Sequence, residues 1–124
     1  MEKAKIASFV DLKVWQLGHR VVLSVYKITK LFPKEELFGL VSQLRRAAVS
    51  MTSNIAEGFS RSSAREKAYF YSIALGSVTE VQNQLLISKD LGYFDETRYI
   101  EISKELVEIH KMTNGLIKSV LART

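Results

Sequence analysis

Two histidines, His19 and His110, are the side chains best suited to hold a metal ion or to move a proton near neutral pH. Neither has a second histidine or a carboxylate at ligand spacing: Glu108 precedes His110 by two residues, whereas a Glu-x-x-His motif requires three. The chain has no cysteine, and no HExxH motif, GxSxG motif or glycine-rich phosphate loop occurs in it. We therefore expect no metal site, no cofactor and no enzymatic activity.

A line of basic residues near the start of the chain has the spacing to follow a phosphate backbone. Lys13, Arg20 and Lys27 recur every seven residues, about 10 Å apart on a helix, and Lys30 continues the line. Arg45 is expected to face outward and to add to the same surface. We call Lys13, Arg20 and Lys27 the basic line. The five residues predict contact with RNA or DNA that is directed at the backbone and only weakly selective for sequence.

The net charge of +5 is unevenly distributed along the chain. Residues 1–62 carry ten Lys/Arg against five Asp/Glu, whereas residues 63–124 carry eight of each. A one-sided basic field favours polyanionic partners such as nucleic acid. The alternative is an ordinary solvent-exposed surface whose neutralising acids lie on later helices.

Between Gln43 and Arg61, polar side chains recur at steps of three and four beside an apolar stripe. We call this set the polar seam. Its members are Gln43, Arg46, Ser50, Asn54, Glu57 and Arg61, with Ser77, Glu80 and Gln84 as counterparts on the next helix. An unpaired buried polar group costs about 1–3 kcal/mol, so groups this close to a core need partners. We expect an internal network in which Arg46 pairs with Glu80 or Glu57 and sets helix register or a subunit interface. Contact with a ligand or nucleic acid is the alternative.

Three breaks separate four helical segments that would position these side chains. The predicted helices lie near 11–31, 34–60, 64–91 and 95–123. Pro33 ends one helix and suits the first turn of the next. Ser63 and Glu66 have the spacing of a capping box. Gly92 suits a left-handed helix end, and Asp95 can cap the last helix.

Apolar residues at helical spacing predict one buried stripe on each helix. The stripes are Leu12, Trp15, Val22, Val25 and Phe32; Leu40, Leu44, Ala48, Met51 and Ile55; Phe70, Ile73, Ser77, Val81 and Leu85; and Ile102, Leu106, Ile109, Leu116 and Val120. Short connections make successive helices antiparallel, so the prediction is a single all-α domain over residues 1–124, an up-down-up-down four-helix bundle. The alternative is a pair of helical hairpins that complete their cores by dimerising.

Apolar residues outside these stripes predict self-association, because a helix that is apolar on more than one face usually has a second partner. They are Val14, Leu17, Val21, Leu23, Ile28, Phe38, Val41, Leu75, Leu86 and Ile87. No apolar run approaches the roughly 18–20 residues needed to cross a bilayer, and the N-terminal segment lacks the apolar core of a signal peptide. We therefore expect a cytoplasmic protein without a membrane partner.

Several motifs together resemble a known family. They are the stretch from Phe9 to Gln16, Phe32-Pro33 followed by Glu36 and Phe38-Gly39-Leu40, the block QLRRAAVSMTSNIAEGFSR from Gln43 to Arg61, and Ile73-Ala74-Leu75-Gly76-Ser77 with Glu80. The chain resembles the four-helix-bundle proteins encoded in intervening sequences of bacterial 23S ribosomal RNA genes, also labelled S23. The resemblance runs from about Phe9 to the C-terminus.

The resemblance implies a bundle that assembles into a ring, a homopentamer, without enzymatic activity. A related branch, the accessory variability protein of diversity-generating retroelements, implies a basic barrel that partners a reverse transcriptase and binds nucleic acid. The family's shared motifs correspond here to Gln43, Arg45, Arg46, Ser50, Asn54, Glu57, Gly58 and Arg61. The expected function is a non-enzymatic oligomeric adaptor that associates with RNA or DNA through a basic face. The alternative is a scaffold for a protein such as a reverse transcriptase, without direct nucleic-acid binding.

Overall fold

Four long helices account for most of the computed structural model, which describes residues 5–123. They are α1 (Lys13–Thr29), α2 (Ser42–Ser60), α3 (Ala64–Asp90) and α4 (Glu96–Leu121). Each helix packs against the next one in the chain, and α4 returns to pack against α1. No strand occurs among the described residues. The predicted all-α fold with four helices is confirmed. The α1–α4 contact closes the bundle within one chain, without a second copy of the chain.

The residues predicted to begin α3 and α4 and to end α3 do so in the structure. The Ser63 hydroxyl accepts a hydrogen bond from the backbone N–H of Glu66 at 3.1 Å and donates to the Glu66 carboxylate, also at 3.1 Å. The Asp95 carboxylate accepts from the N–H of Arg98 at 3.0 Å. Gly92 adopts a left-handed conformation with φ of 79°. These caps satisfy N–H groups that would otherwise lack partners at the helix starts.

The segment before α2 differs from the prediction of one helix over 34–60. Lys34–Glu36 forms a 3₁₀ turn, Leu37–Val41 a wide π-type turn, and the regular α-helix begins only at Ser42. Backbone dihedrals leave the helical region at Gly39, where an added Cβ would lie 2.7 Å from the Glu36 carboxylate. This carboxylate accepts hydrogen bonds from the N–H of Leu40 and the hydroxyl of Tyr93, so it stabilises the irregular turn.

Removing the Tyr93 hydroxyl tests whether its hydrogen bond to Glu36 stabilises the irregular turn. The Tyr93 Oη–Glu36 Oε2 distance is 2.8 Å, and the hydrogen bond raises the pKa of Tyr93 above its ordinary value. We expect Tyr93→Phe to lower the free energy of unfolding by about 1 kcal/mol, a usual value for one hydrogen bond. Urea unfolding followed by circular dichroism measures the change. An unaltered midpoint would mean that the turn holds its shape without this contact.

The buried face of α1 agrees only in part with the predicted stripe, of which Val25 on the helix and Phe32 just after it are buried. The other buried residues that define this face are Val14, Gly18, Val21 and Ile28, whereas Leu12, Trp15 and Val22 are only half-buried. Both sets recur at helical steps, but Gly18 lets α1 approach α2 most closely. A Cβ at Gly18 would lie 3.0 Å from the Thr52 Cγ2 atom, so the glycine side of α1 turns inward. Val14, Val21 and Ile28 therefore belong to the core and not to a second face.

The remaining stripes are closer to the prediction. Every predicted residue of α2 and α4 is buried or half-buried. On α3, Ile73 is exposed and Phe70 half-buried, while Tyr71, Ala74 and Val78 complete the core. Of the expected surplus of apolar residues, four remain exposed: Leu23, Phe38, Leu86 and Ile87. No helix within residues 5–123 combines the length and apolarity required to cross a membrane.

Candidate nucleic-acid interface

Two residues of the basic line, Arg20 and Lys27, lie on the side of α1 that faces α4. Lys13, Arg20 and Lys27 are all exposed, but acids of α4 stand beside Arg20 and Lys27. The Arg20 guanidinium forms a salt bridge with Glu105 at 3.3 Å, and Lys27 lines a shallow groove together with Glu101 and Arg98. Neutralising acids on a later helix were the alternative expected from the sequence. The positive potential of this groove is therefore partly cancelled.

Arg45 does not extend into solvent as expected but lies half-buried across α1. Its Nε donates a hydrogen bond to the Thr29 hydroxyl at 2.9 Å, and its guanidinium carbon lies 4.5 Å from the centre of the Tyr26 ring. A cation over an aromatic face is attracted by the ring quadrupole, and this attraction supplies the physical reason for the difference. Arg45 therefore brings Tyr26 and the end of α1 into one surface with α2.

This surface, which we call the α1–α2 face, contains cations and an aromatic ring. A shallow depression of about 370 Å³ opens on it, lined by Tyr26, Arg45, Arg46, Val49, Ser50 and Ser53. No acid lines it, and Lys30 lies exposed just beyond Thr29. Lys30 forms no salt bridge within residues 5–123. The α1–α2 face thus presents an uncompensated positive charge beside a ring.

The polar seam is a surface groove between α2 and α3, not a closed internal network. The expected pairs of Arg46 with Glu80 or Glu57 are absent among the described residues, where Arg46 and Glu80 are exposed on opposite walls of the groove. The Ser50 and Ser77 hydroxyls instead share a hydrogen bond of 2.9 Å. The groove has a volume of about 480 Å³ and is also lined by Phe38, Ser42, Gln43, Ala47 and Gln84.

The other seam residues make short local contacts. The Asn54 side chain donates to the Ser50 carbonyl at 2.8 Å and to its hydroxyl at 3.1 Å. The Gln84 amide donates to the Gln43 side-chain carbonyl at 3.5 Å, the limit of a hydrogen bond. Glu57 pairs with Arg61, one turn later, at 3.1 Å. Short side chains suffice to join α2 and α3 here, which leaves the long Arg46 side chain free at the surface.

A second cluster of arginine and aromatic side chains, which was not predicted from the sequence, lies at the start of α3. Arg61, Arg65, Glu66, Tyr69 and Phe70 line a depression of about 390 Å³. The Arg61 guanidinium carbon lies 4.8 Å from the centre of the Phe70 ring, and Tyr69 is 63% exposed. The spacing of Arg65 and Tyr69, four residues apart on one helix, was the available signal.

Neither histidine lines the depressions or the groove described above. His19 stacks on Trp15 with ring centres 4.8 Å apart, and His110 is half-buried on α4. Within residues 5–123, no three His, Cys, Asp or Glu side chains come together in a way that could hold a metal ion.

Comparison with known proteins assigns the family. Residues 10–115 match the model of the 23S rRNA-intervening sequence protein family. The crystal structure of a protein of unknown function from the S23 ribosomal protein family of Bacteroides thetaiotaomicron has the same fold, with a TM-score of 0.76 and 22% identity. The similarity covers 85% of this chain and 98% of that one. No curated protein sequence matches the chain significantly. Because the family model spans most of its length, this chain belongs to the 23S rRNA-intervening sequence protein family.

Proposed function

We propose that this protein is a non-enzymatic adaptor that binds the backbone of RNA or DNA through the α1–α2 face. The observation that carries the proposal is the depression lined by Arg45, Arg46 and Tyr26, into which no acid projects. Arg46 and the nearby Lys30 are exposed and form no salt bridge within the described part of the chain. Free cations of this kind can neutralise phosphates and release the counterions that drive such binding.

The α1–α2 face is a better candidate than the basic line. Arg20 is already paired with Glu105, and Glu101 lies beside Lys27. A phosphate that approaches this groove meets carboxylates as well as cations, and like-charge contacts oppose binding. Beside the α1–α2 face, Glu80 lines the neighbouring groove, and this acid belongs to α3. Of the five residues expected to bind nucleic acid, Lys30 and Arg45 are therefore the ones that the geometry favours.

Reversing the free charges of the α1–α2 face tests this function. We expect Arg46→Glu with Lys30→Glu to weaken binding of a fluorescent RNA strand at least tenfold at low salt, because two favourable phosphate contacts become repulsive. The logarithm of the wild-type affinity should fall with the logarithm of salt concentration, with a slope of about 0.7 for each single-strand phosphate contacted. Fluorescence anisotropy at several salt concentrations measures both quantities.

A matched control separates this face from the basic line. Arg20→Glu with Lys27→Glu changes the net charge by the same amount, but on the side of α1 where Glu105 and Glu101 of α4 lie. It should alter affinity by less than about threefold at equal ionic strength, since the acids of α4 already weaken that surface. Equal losses in both double variants would show that only total charge matters. A wild-type protein that binds no RNA or DNA at low salt would refute the function.

We further propose that the adaptor works as a ring of identical subunits, a homopentamer. Two separate apolar surfaces support self-association. One contains Phe38, which is 93% exposed beside the groove between α2 and α3. The other is a depression of about 320 Å³ on α4, lined by Tyr99, Ile100, Ser103, Lys104 and Val107. Contact between two different surfaces is head-to-tail, and such contacts close into rings when the rotation allows.

A scaffold that binds another protein is the second candidate function. The exposed Phe38 ring favours it, because large aromatic side chains commonly anchor protein interfaces. The partner would then be a nucleic-acid enzyme such as a reverse transcriptase, and direct nucleic-acid binding would be unnecessary. Copurification of one stoichiometric protein, unaffected by nuclease treatment, would favour this function over the first.

A further inference from the structure

Like the α1–α2 face, the cluster at the start of α3 contains arginine and tyrosine side chains, but it also contains one acid, Glu66, whose carboxylate accepts a hydrogen bond from the Ser63 hydroxyl. Arg65 is exposed on the first turns of α3, and the exposed Tyr69 ring lies one turn further along the helix. Arg61 completes the cluster, with its charge shared between Glu57 and the Phe70 ring. Both surfaces therefore combine at least one free arginine with an accessible tyrosine. Nothing in the proposed function uses the second of them.

The exposed side of α2 connects the two clusters. Its solvent-facing residues recur at steps of three and four: Arg46, Val49, Ser53, Glu57 and Ser60. Three of them are small or neutral, and the single acid, Glu57, is paired with Arg61 at 3.1 Å. Fifteen residues separate Arg46 from Arg61, which is about 22 Å along a helix axis. A chain of phosphates following α2 would meet no unpaired acid on this helix between the clusters.

We propose that a single-stranded nucleic acid lies along the exposed side of α2, with phosphates near Arg46 and Arg65 and bases stacked on Tyr26 and Tyr69. The inference rests on the proposed function and extends it to the form and length of the ligand. A strand that rises about 3.4 Å per nucleotide needs six or seven nucleotides to span about 22 Å. The strand therefore has to reach about this length before it can occupy both clusters.

The two tyrosines are the reason for choosing a single strand. Positive grooves that also carry aromatic rings bind single strands, since unpaired bases can leave their neighbours and stack on the protein. In a duplex the bases are already stacked and paired. They could stack on an exposed ring only if the duplex opened, which costs free energy. A duplex would be restricted to the phosphate contacts.

The test measures the affinity of single strands of four, eight and twelve nucleotides and of a twelve-pair duplex. For the wild type we expect affinity to rise steeply between four and eight nucleotides, where the second cluster comes within reach. Tyr69→Ala should weaken binding of the twelve-nucleotide strand by about 5- to 150-fold, the range for loss of one stacked base. It should leave binding of the four-nucleotide strand and the duplex unchanged within twofold.

Three further variants sharpen the result. Tyr69→Phe keeps the ring and should bind like the wild type, whereas Arg65→Gln should weaken the long strand and reduce its salt dependence by one phosphate contact. Lys111→Gln, an exposed cation on α4, should change nothing. Circular dichroism melting confirms that each variant is folded.

The outcomes distinguish the inference from the function on which it rests. If Arg46→Glu with Lys30→Glu weakens binding while Tyr69→Ala and Arg65→Gln leave every strand unaffected, the function stands and the extended footprint is wrong. If the duplex binds as tightly as the single strand and depends equally on Tyr69, the preference for single strands is wrong. If charge reversal on the α1–α2 face has no effect, the proposed function itself fails.

Discussion

Replacing Gly58 with alanine is expected to lower the free energy of unfolding by about 2–3 kcal/mol, within the range for overpacked cores. The new methyl carbon would lie 2.7 Å from Cε1 and 2.8 Å from Cδ1 of Tyr71, closer than carbon atoms approach without displacement. The Tyr71 ring is buried, and its burial raises the pKa of its hydroxyl. The carbonyl oxygen of Lys67 lies only 3.2 Å away on the other side, so α3 would have to move.

Two more contacts bring α2 and α3 together at this level. The Lys67 ammonium donates hydrogen bonds to the carbonyls of Phe59 at 2.7 Å and Gly58 at 3.4 Å, among the last carbonyls of α2. A cation at a helix C-terminus also interacts favourably with the helix dipole. The helices therefore have little freedom to separate around a methyl group.

Gly76→Ala is the matched control, because it makes the same substitution inside α3 where an added Cβ meets no atom within 4 Å. It should stabilise the protein by about 0.5–1 kcal/mol, since alanine loses less conformational entropy than glycine in a helix. Urea unfolding of both variants, with circular dichroism as the signal, gives the two free energies. A Gly58→Ala protein as stable as Gly76→Ala would show that the two helices separate easily.

Replacing Phe38 with aspartate should convert the proposed homopentamer into single chains. A buried aromatic anchor commonly contributes 2 kcal/mol or more to an interface, and a carboxylate in its place would be buried without a partner. The dissociation constant should rise by about 30-fold or more. Light scattering after gel filtration should give five times the chain mass of 14.1 kDa for the wild type and the single-chain mass for the variant.

The fold should survive this substitution because Phe38 is 93% exposed and contributes almost nothing to the monomer core. Leu23→Asp is a suitable control, as it places the same charge on an exposed apolar residue of α1, away from both proposed contact surfaces. It should keep the wild-type mass. A wild-type protein that remains a single chain at every concentration would contradict the ring, whatever the variants do.

Local signals were sufficient for the parts of this fold that depend on neighbours in the chain. The caps at Ser63 and Asp95 and the left-handed Gly92 need only residues within four positions. The start of α2 could not be predicted in this way. Its irregular turn depends on Glu36 holding Tyr93, and 57 residues separate the two. The buried face of α1 was also ambiguous, because apolar residues lie on more than one side and only contact with Thr52 selects the side of Gly18.

The candidate site shows the same division between local and tertiary information. That Arg45 and Arg46 point in different directions follows from helix geometry, about 100° per residue. The direction of Arg45 is decided by Tyr26 and Thr29 on another helix, which no spacing along the chain reveals. The basic line was correctly placed on an exposed side of α1, but its neighbours on α4 became visible only in three dimensions. Whether any of these residues bind nucleic acid remains a prediction.

The order in which the helices pack affects how fast the protein folds relative to how fast its subunits associate. Each helix packs against its successor in the chain, whereas the contact of α4 with α1 and the Glu36–Tyr93 hydrogen bond join distant parts of the chain. Helical bundles dominated by such local contacts fold within microseconds to milliseconds, whereas subunits must still meet by diffusion. We therefore expect newly made chains to complete their fold early and then to wait, at low abundance, for partners. If the proposed ring forms, its rate of formation would follow the level of expression.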